Sequence, residues 1–178
     1  HAGSEAAHAA ATMGSQVLLI TMDMNKIAQM SCNPAMGGVA KGQIVREIDA
    51  LGGMSGIVSD ESMVQFRMLH RSKGKAMWSP RCQSDRMRFA EKWRLILEQN
   101  PKVDFWQDMV MGIIVEQGQV KGVKTSLGME IPSKTVILTS GTFMNGVIHI
   151  GEKQLGGGRI GEKASKGITK QLIDLGFE

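Results

Sequence analysis

Hydrophobic residues follow a helical spacing in some segments of this chain and a continuous or alternating spacing in others, which predicts an α/β protein. An alanine-rich segment over residues 1–14 predicts a helix that ends at Gly14. Residues 16–21 behind it, with apolar side chains at 17–20, predict a short strand. Residues 43–51 and 83–99 carry apolar side chains at helical spacing, so two further helices are predicted there.

Beyond Val103 the pattern changes to short apolar runs that are separated by turn residues. Three of these runs predict an antiparallel meander, over residues 110–115, 119–125 and 129–131. Residues 135–139 predict a buried strand that ends in a loop of small residues. Such a strand end is where an α/β sheet presents backbone N–H groups to a ligand. The remaining segments predict strands over 63–69 and 103–106, an irregular basic segment over 70–80 and a helix over 169–175.

The first helix and strand match the second half of a βαβ dinucleotide-binding unit. Gly3 takes the place of the third glycine in the G-x-G-x-x-G fingerprint, which allows close packing of helix and strand. We expect the first strand and the first two glycines to lie ahead of His1. The sequence therefore predicts a Rossmann-like domain of the two-dinucleotide-binding-domain flavoprotein type, with an antiparallel meander and with its first strand missing.

A cysteine lies in the stretch Ser-Cys-Asn-Pro-Ala-Met-Gly-Gly over residues 31–38. Pro34 restricts the backbone of the loop, and the glycine pair allows a tight bend or the close approach of a ligand. Cys32 thus precedes a predicted helix N-terminus, where backbone N–H groups favour a thiolate. Two interpretations follow: Cys32 is a nucleophile, or it is a buried cysteine in an ordinary loop.

Composition and charge restrict the possible environments of the protein. With 178 residues the chain is long enough for one domain with a core, and its two cysteines do not form a disulfide framework, so the cytoplasm is expected. We find no apolar run long enough to span a membrane and no basic-then-apolar signal sequence.

The net charge of +4 is unevenly distributed, with nine Lys and Arg residues between positions 67 and 94 against two acidic residues. This run is either a surface for a polyanion or a solvated helix face. Trp78 lies within it and either stacks on a base or flavin, or packs in its own loop.

Several motifs together resemble the GidA/MnmG family of FAD-dependent tRNA uridine 5-carboxymethylaminomethyl modification enzymes. These motifs are residues 1–7, 29–38, 41–42, 47–53, 65–67, 85–86, 139–146 and 149–151. The Ser-Cys-Asn-Pro-Ala-x-Gly-Gly run separates this family from the related folate-dependent tRNA uridine methyltransferases. By this resemblance, residues 1–178 are a partial FAD-binding domain, similar to the N-terminal third of such an enzyme.

The resemblance implies an activity. Together with the GTPase MnmE, the family adds a carboxymethylaminomethyl-type group at C5 of the wobble uridine of tRNA. FAD mediates the redox step, NADH reduces the flavin, and a tetrahydrofolate derivative supplies the one-carbon unit. The family forms homodimers. We expect the chain by itself to bind FAD poorly, because the first two glycines of its phosphate loop are missing. We also expect it to be inactive by itself, because the family's NADH segment, second cysteine and helical C-terminal region are absent from it.

The resemblance also implies roles for particular residues. Cys32 matches one of two cysteines that the family needs, and its thiolate would attack uridine C6 so that C5 becomes nucleophilic. The second cysteine is expected beyond Glu178, and Cys82 is interpreted as structural. Seven residues are implied at the FAD site: His1, Ala2 and Gly3 at the pyrophosphate, Val110 at the adenine, Ser165 at a further flavin-binding position, and Thr139 and Gly141 near the nucleotide. The contact expected between the basic run and the tRNA backbone rests on electrostatics and not on the resemblance. No metal site is expected.

Two alternatives remain open. A generic FAD/NAD oxidoreductase would normally carry a paired cysteine, and Cys32 has no such neighbour. A non-catalytic RNA-binding module would use the basic run, but aromatic residues make up only 4% of the chain and tyrosine is absent.

Overall fold

A computed structural model describes residues 1–31 and 33–177 of the chain. It divides into two compact units. The first unit comprises His1–Leu19 and Asp23–Trp106, and the second comprises Ile20–Met22 and Gln107–Glu178.

The first unit combines four helices with short strands. The helices are α1 (Ala2–Thr12), α2 (Lys41–Ala50), α3 (Ser55–Glu61) and α4 (Arg86–Glu98). The strands are β1 (Val17–Thr21), β2 (Ala35–Gly37), β3 (Met63–Leu69), β4 (Ser79–Ser84) and β5 (Val103–Gln107). Strands β2 and β3 pair antiparallel with opposite edges of β4, while β1 pairs with β5.

Apolar side chains from α1, α3 and α4 form the core of the first unit. Phe89, Trp93 and Leu97 lie on one face of α4 and are completely buried, together with Val58 of α3. Their spacing follows the helical period, which is why the sequence pattern identified this helix. Asp85 caps α4, because its carboxylate accepts hydrogen bonds from the backbone nitrogens of Met87 and Arg88 at 2.9 and 3.0 Å.

The second unit is built around an antiparallel meander of β6 (Val110–Glu116), β7 (Gln119–Thr125) and β8 (Glu130–Pro132). A hairpin of β9 (Val147–Ile150) and β10 (Lys153–Gly156) and the helix α5 (Ile168–Asp174) follow. The side-chain amide of Gln171 in α5 accepts a hydrogen bond from the backbone nitrogen of Ile113 at 2.7 Å and donates one to its carbonyl oxygen at 2.5 Å. Gln171 therefore fixes α5 to β6.

The predicted helices and strands are confirmed over most of the chain, with a few differences. The helix predicted from residue 83 begins at Arg86 because residues 79–84 form β4, which the pattern did not predict. The predicted buried strand over 135–139 is wrong. These residues form no strand, and Ile137 is 65% exposed. A strand exists through hydrogen bonds to a neighbouring strand, and the described part of the chain offers this segment none.

The sequence contains no apolar run long enough to span a membrane, and the helices of the structure can be compared with that expectation. No helix among the described residues is both long enough and apolar enough to cross a bilayer.

Candidate functional site

The N-terminus of α1 carries three of the predicted FAD-site residues. His1 is the N-cap, and Ala2 and Gly3 open the first turn. Backbone N–H groups in a first turn have no intrahelical acceptor, and the helix dipole adds a partial positive charge. His1 and Ala2 are exposed, so these donors fit an anionic group such as a pyrophosphate. The His1 ring meets the buried ring of Phe89 edge-on at 5.6 Å, which anchors the cap to the core.

Val110 and Ser165, two other predicted FAD-site residues, are brought together in the second unit. The Ser165 hydroxyl donates a hydrogen bond of 2.9 Å to the Val110 carbonyl oxygen across 55 positions of sequence. The backbone of Ser165 is held on both sides, because its nitrogen donates to the Phe143 carbonyl and its carbonyl accepts from the Asn145 nitrogen, each at 2.9 Å. Ser165 is buried. This contact fixes the start of β6 against the loop that precedes α5.

A cavity of about 380 Å³ lies beside this contact. Four of the residues that line it are sequence neighbours of Val110 or Ser165, namely Met109, Met111, Ala164 and Lys166, and the lining also includes Gly156 and Lys163. Two methionines offer an apolar, adaptable surface for a flat ring, and two lysines offer positive charge for a phosphate. Sequence reasoning missed these residues. For the four sequence neighbours of Val110 and Ser165, this adjacency was the one signal in the sequence that could have indicated them.

Thr139 and Gly141 are the remaining two predicted FAD-site residues. Both are exposed, and neither is among the described residues that line the cavity beside Ser165. Gly141 has φ +56° in the turn that follows the unpaired segment 135–139. The prediction that they lie near the nucleotide is not tested by these contacts and stays a prediction.

Cys32, the predicted nucleophile, lies outside the described residues. The segment that follows it is held against β4: the Ser84 nitrogen donates to the Pro34 carbonyl, and the Gly38 nitrogen donates to the Pro80 carbonyl, each at 2.8 Å. The Ser79 hydroxyl also donates to the Gly38 carbonyl oxygen. Helix α2 then begins at Lys41, two residues earlier than the pattern predicted. The loop behind the cysteine is therefore firmly positioned.

Cys82 has the features of a structural cysteine. It is buried in β4, and its thiol lies 3.3 Å from the Ser59 carbonyl oxygen, which it can reach as a donor. Burial raises the pKa of the Cys82 thiol. A neutral thiol is a poor nucleophile, so the structure agrees with the interpretation of Cys82 as structural.

The basic run between positions 67 and 94 falls on helix α4, on the loop between β3 and β4, and on these two strands. On α4, Lys92 pairs with Glu61 at 3.1 Å and Arg94 with Glu98 at 2.6 Å. The loop between β3 and β4 carries three exposed cations, Arg71, Lys73 and Lys75. Local carboxylates thus offset part of the charge on the helix, whereas the loop contains none.

No group of three or more His, Cys, Asp or Glu side chains is arranged to hold a metal ion within residues 1–31 and 33–177.

Comparison with known proteins assigns the family. The sequence profile of the family described as glucose inhibited division protein A matches residues 1–178. The chain belongs to the GidA family. Its α/β fold of the Rossmann-like, FAD-binding type is confirmed by a likeness to Aquifex aeolicus GidA in its form II crystal. That structure is 48% identical with a TM-score of 0.93, and the match covers 100% of this chain and 30% of that one.

Relatives of this GidA chain carry a functional name. Proteins called tRNA uridine 5-carboxymethylaminomethyl modification enzyme MnmG from Cytophaga hutchinsonii and Flavobacterium johnsoniae are 73% and 69% identical over 178 residues. The chain spans 29% of the length of each. The GidA-related protein from Thermus thermophilus shares the fold, with a TM-score of 0.62 and 18% identity over 99% of this chain and 65% of its own.

Proposed function

We propose that the protein carrying this chain is an FAD-dependent tRNA-modifying enzyme. It adds a carboxymethylaminomethyl-type group at C5 of the wobble uridine and works with the GTPase MnmE. The names of the relatives support the tRNA uridine chemistry. The observation that carries the cofactor assignment is the hydrogen bond between Ser165 and Val110 beside a cavity with two lysines.

Each group of implied FAD-site residues, taken by itself, fits a part of FAD. The N–H groups at Ala2 and Gly3 suit the pyrophosphate, and the backbone of Val110 suits the edge of adenine, with Ser165 fixing that backbone. Lys163 and Lys166 place positive charge at the cavity. Bound FAD would supply the redox chemistry, and these residues would hold it in place.

Cys32 supplies the nucleophile in this proposal. Its thiolate adds to C6 of the uridine, and the electrons of the C5=C6 bond move to form an enolate-like C5. That carbon bonds to the methylene carbon of an iminium electrophile derived from tetrahydrofolate, and the electrons of the C=N bond move to its nitrogen. An amine that bears a carboxymethyl group then displaces this nitrogen, so that tetrahydrofolate leaves. Loss of the C5 proton and departure of the thiolate from C6 restore the ring. The role is supported by the resemblance of residues 31–38 to the family's Ser-Cys-Asn-Pro-Ala-x-Gly-Gly run.

Other parts of the proposal are supported by the family resemblance alone. These are reduction of the flavin by NADH, the folate donor, the homodimer and a cytoplasmic location.

The cysteine assignment is tested in the full-length protein by comparing Cys32→Ala with Cys82→Ala. Mass spectrometry of tRNA nucleosides should show no modified wobble uridine with Cys32→Ala, although tRNA binding is retained. Cys82→Ala should keep the modification, because that thiol is buried and neutral. Normal modification by Cys32→Ala would eliminate the nucleophilic role.

The cofactor assignment is tested by flavin absorbance of the purified full-length protein. Ser165→Ala should weaken FAD binding about two- to tenfold, since it removes one hydrogen bond that fixes Val110. Ser133→Ala is the matched control, because the buried Ser133 hydroxyl has no hydrogen-bond partner among the described residues. Equal flavin content in the two variants would contradict the assignment.

A further inference from the structure

The loop that joins β3 to β4 forms an open groove in the first unit. Residues 71–73 and 75–77 each form one turn of 3₁₀ helix, separated by Gly74. A space of about 660 Å³ is lined by residues 66–71 and Trp78. The groove is therefore formed by one continuous segment, residues 66–71, together with Trp78.

Trp78 is held in a defined orientation in this groove. Its indole nitrogen donates a hydrogen bond of 3.1 Å to the Arg71 carbonyl oxygen. The guanidinium of Arg71 lies 5.8 Å from the centre of the indole ring, a cation–π arrangement. Trp78 is only half-buried, and Phe66 on β3 is 51% exposed. The aromatic rings of Trp78 and Phe66 thus remain accessible to solvent. In a loop that only packs against its own protein, these rings would be buried.

The charge around the groove has one sign. Between Ser62 and Ser84 the sequence contains five Lys and Arg residues and no Asp or Glu. Four of the five are exposed: Arg67, Arg71, Lys73 and Lys75. On α4, by contrast, Lys92 and Arg94 are paired with carboxylates. The groove therefore has the charge that attracts a polyanion and the flat surfaces that attract an aromatic ring.

We propose that this groove binds one unpaired nucleobase of an RNA strand, stacked on the Trp78–Arg71 pair. Arg67, Lys73 and Lys75 contact the flanking phosphates. A base within a duplex is already stacked on its neighbours, so the groove selects single-stranded RNA such as a loop. The proposal rests on the proposed tRNA-modifying function and names the surface that would receive part of that substrate.

The test measures RNA binding by full-length protein variants, with a short fluorescent oligouridylate and a fully paired RNA duplex as probes. Trp78→Leu should weaken oligouridylate binding about five- to a hundredfold, as expected for loss of one stacked base, and should change duplex binding less than about twofold. Trp78→Phe should keep most of the affinity, because a stacking ring remains. Trp106→Leu, in β5, is the matched control for removal of an indole and should bind as the parent does.

The phosphate contacts are tested separately through salt dependence. Arg67→Gln and Lys73→Gln should each lower the slope of log affinity against log salt by about one, without changing the preference for single strands. Circular dichroism and thermal melting should show each variant folded as the parent is.

Three outcomes overturn the proposal. In the first, Trp78→Leu binds oligouridylate as tightly as Trp106→Leu does. In the second, Trp78→Leu loses flavin absorbance while its RNA affinity is unchanged, which assigns the groove to a flavin. Both leave the tRNA-modifying function standing if the parent still modifies tRNA. In the third, the parent binds neither tRNA nor oligouridylate, and the proposed function then fails together with the groove.

Discussion

The carboxylate of Glu5 lies 2.7 Å from the backbone nitrogen of Ser55, 50 positions further along the chain. Its other oxygen accepts a hydrogen bond from the Met54 nitrogen at 3.1 Å. Glu5 belongs to α1, whereas Met54 is the N-cap of α3 and provides no side-chain cap of its own. A residue from one helix thus caps the N-terminus of another and joins α1 to α3.

Replacement of Glu5 should therefore loosen α3. Glu5→Ala removes an acceptor from two N–H groups, so it should destabilise the unit by about 1–2 kcal/mol, as loss of an N-cap does. Hydrogen exchange of the α3 amides in the full-length protein should accelerate first. Glu47→Ala removes an exposed carboxylate from α2 and serves as the control. Equal exchange in the two variants would contradict the capping role.

Asp108 should make the stability of the second unit depend on acid. A hydrogen bond of 2.5 Å from the Ser126 hydroxyl is the main cause that lowers the pKa of Asp108 to about 2, followed by one from the side chain of Thr125. The pKa of an aspartate in an unfolded chain is about 3.9. Because the pKa of Asp108 is lower in the folded state, its carboxylate stabilises the second unit fully at pH values above the pKa of the unfolded chain. This stabilisation is lost as the pH falls towards 2.

Urea unfolding of the full-length protein between about pH 5 and pH 2 measures this loss. Asp108→Asn should flatten the pH dependence over that range, because the titrating group is gone. Asp104→Asn, which replaces an exposed carboxylate of β5, should leave the dependence of the parent in place. A parent whose stability does not fall over this range would contradict the prediction.

Substitutions at Gly37 and Gly38 should distinguish the cost of an unfavourable backbone conformation from the cost of a steric collision. Gly37 has φ +89° and Gly38 has φ +98°, conformations that L side chains rarely adopt. A Cβ at Gly37 would also collide with the Pro80 carbonyl oxygen, whereas a Cβ at Gly38 would meet no atom within 4 Å. Gly38→Ala should therefore cost about 1–2 kcal/mol for its backbone conformation alone.

Gly37→Ala should cost clearly more than Gly38→Ala, because β2 must also move away from β4. Chemical unfolding of the two variants measures the difference directly, and each serves as the other's control. Similar losses of stability would show that the close approach to Pro80 does not restrict the loop.

Local patterns were enough to predict those elements whose partners are close in sequence. The meander was predicted because Gln117 and Gly118 form a turn between two apolar runs, and both adopt positive φ in the structure. Residues 135–139 have an equally apolar pattern and form no strand, since pairing depends on a neighbour that the pattern does not contain. Strand propensity alone did not decide the outcome.

The candidate sites also contain contacts between residues distant in sequence, which local patterns cannot predict. No spacing rule connects Val110 with Ser165, so only the family resemblance placed both at one site, and the structure then joined them by a hydrogen bond. The stacking of Arg71 over Trp78 is different, because the two residues are seven positions apart. The sequence located that cluster but left open whether the tryptophan was packed or accessible.

The two hydrogen bonds between the Gln171 amide and Ile113 affect how molecules of the protein can associate. Strand β6 lies at an edge of its sheet in the described part of the chain, and an edge strand offers unpaired N–H and C=O groups to strands of other chains. The Gln171 amide takes both groups of Ile113, as a neighbouring strand would. The side chain thus occupies the position at which edge-to-edge pairing would begin and protects the sheet against aggregation along β6.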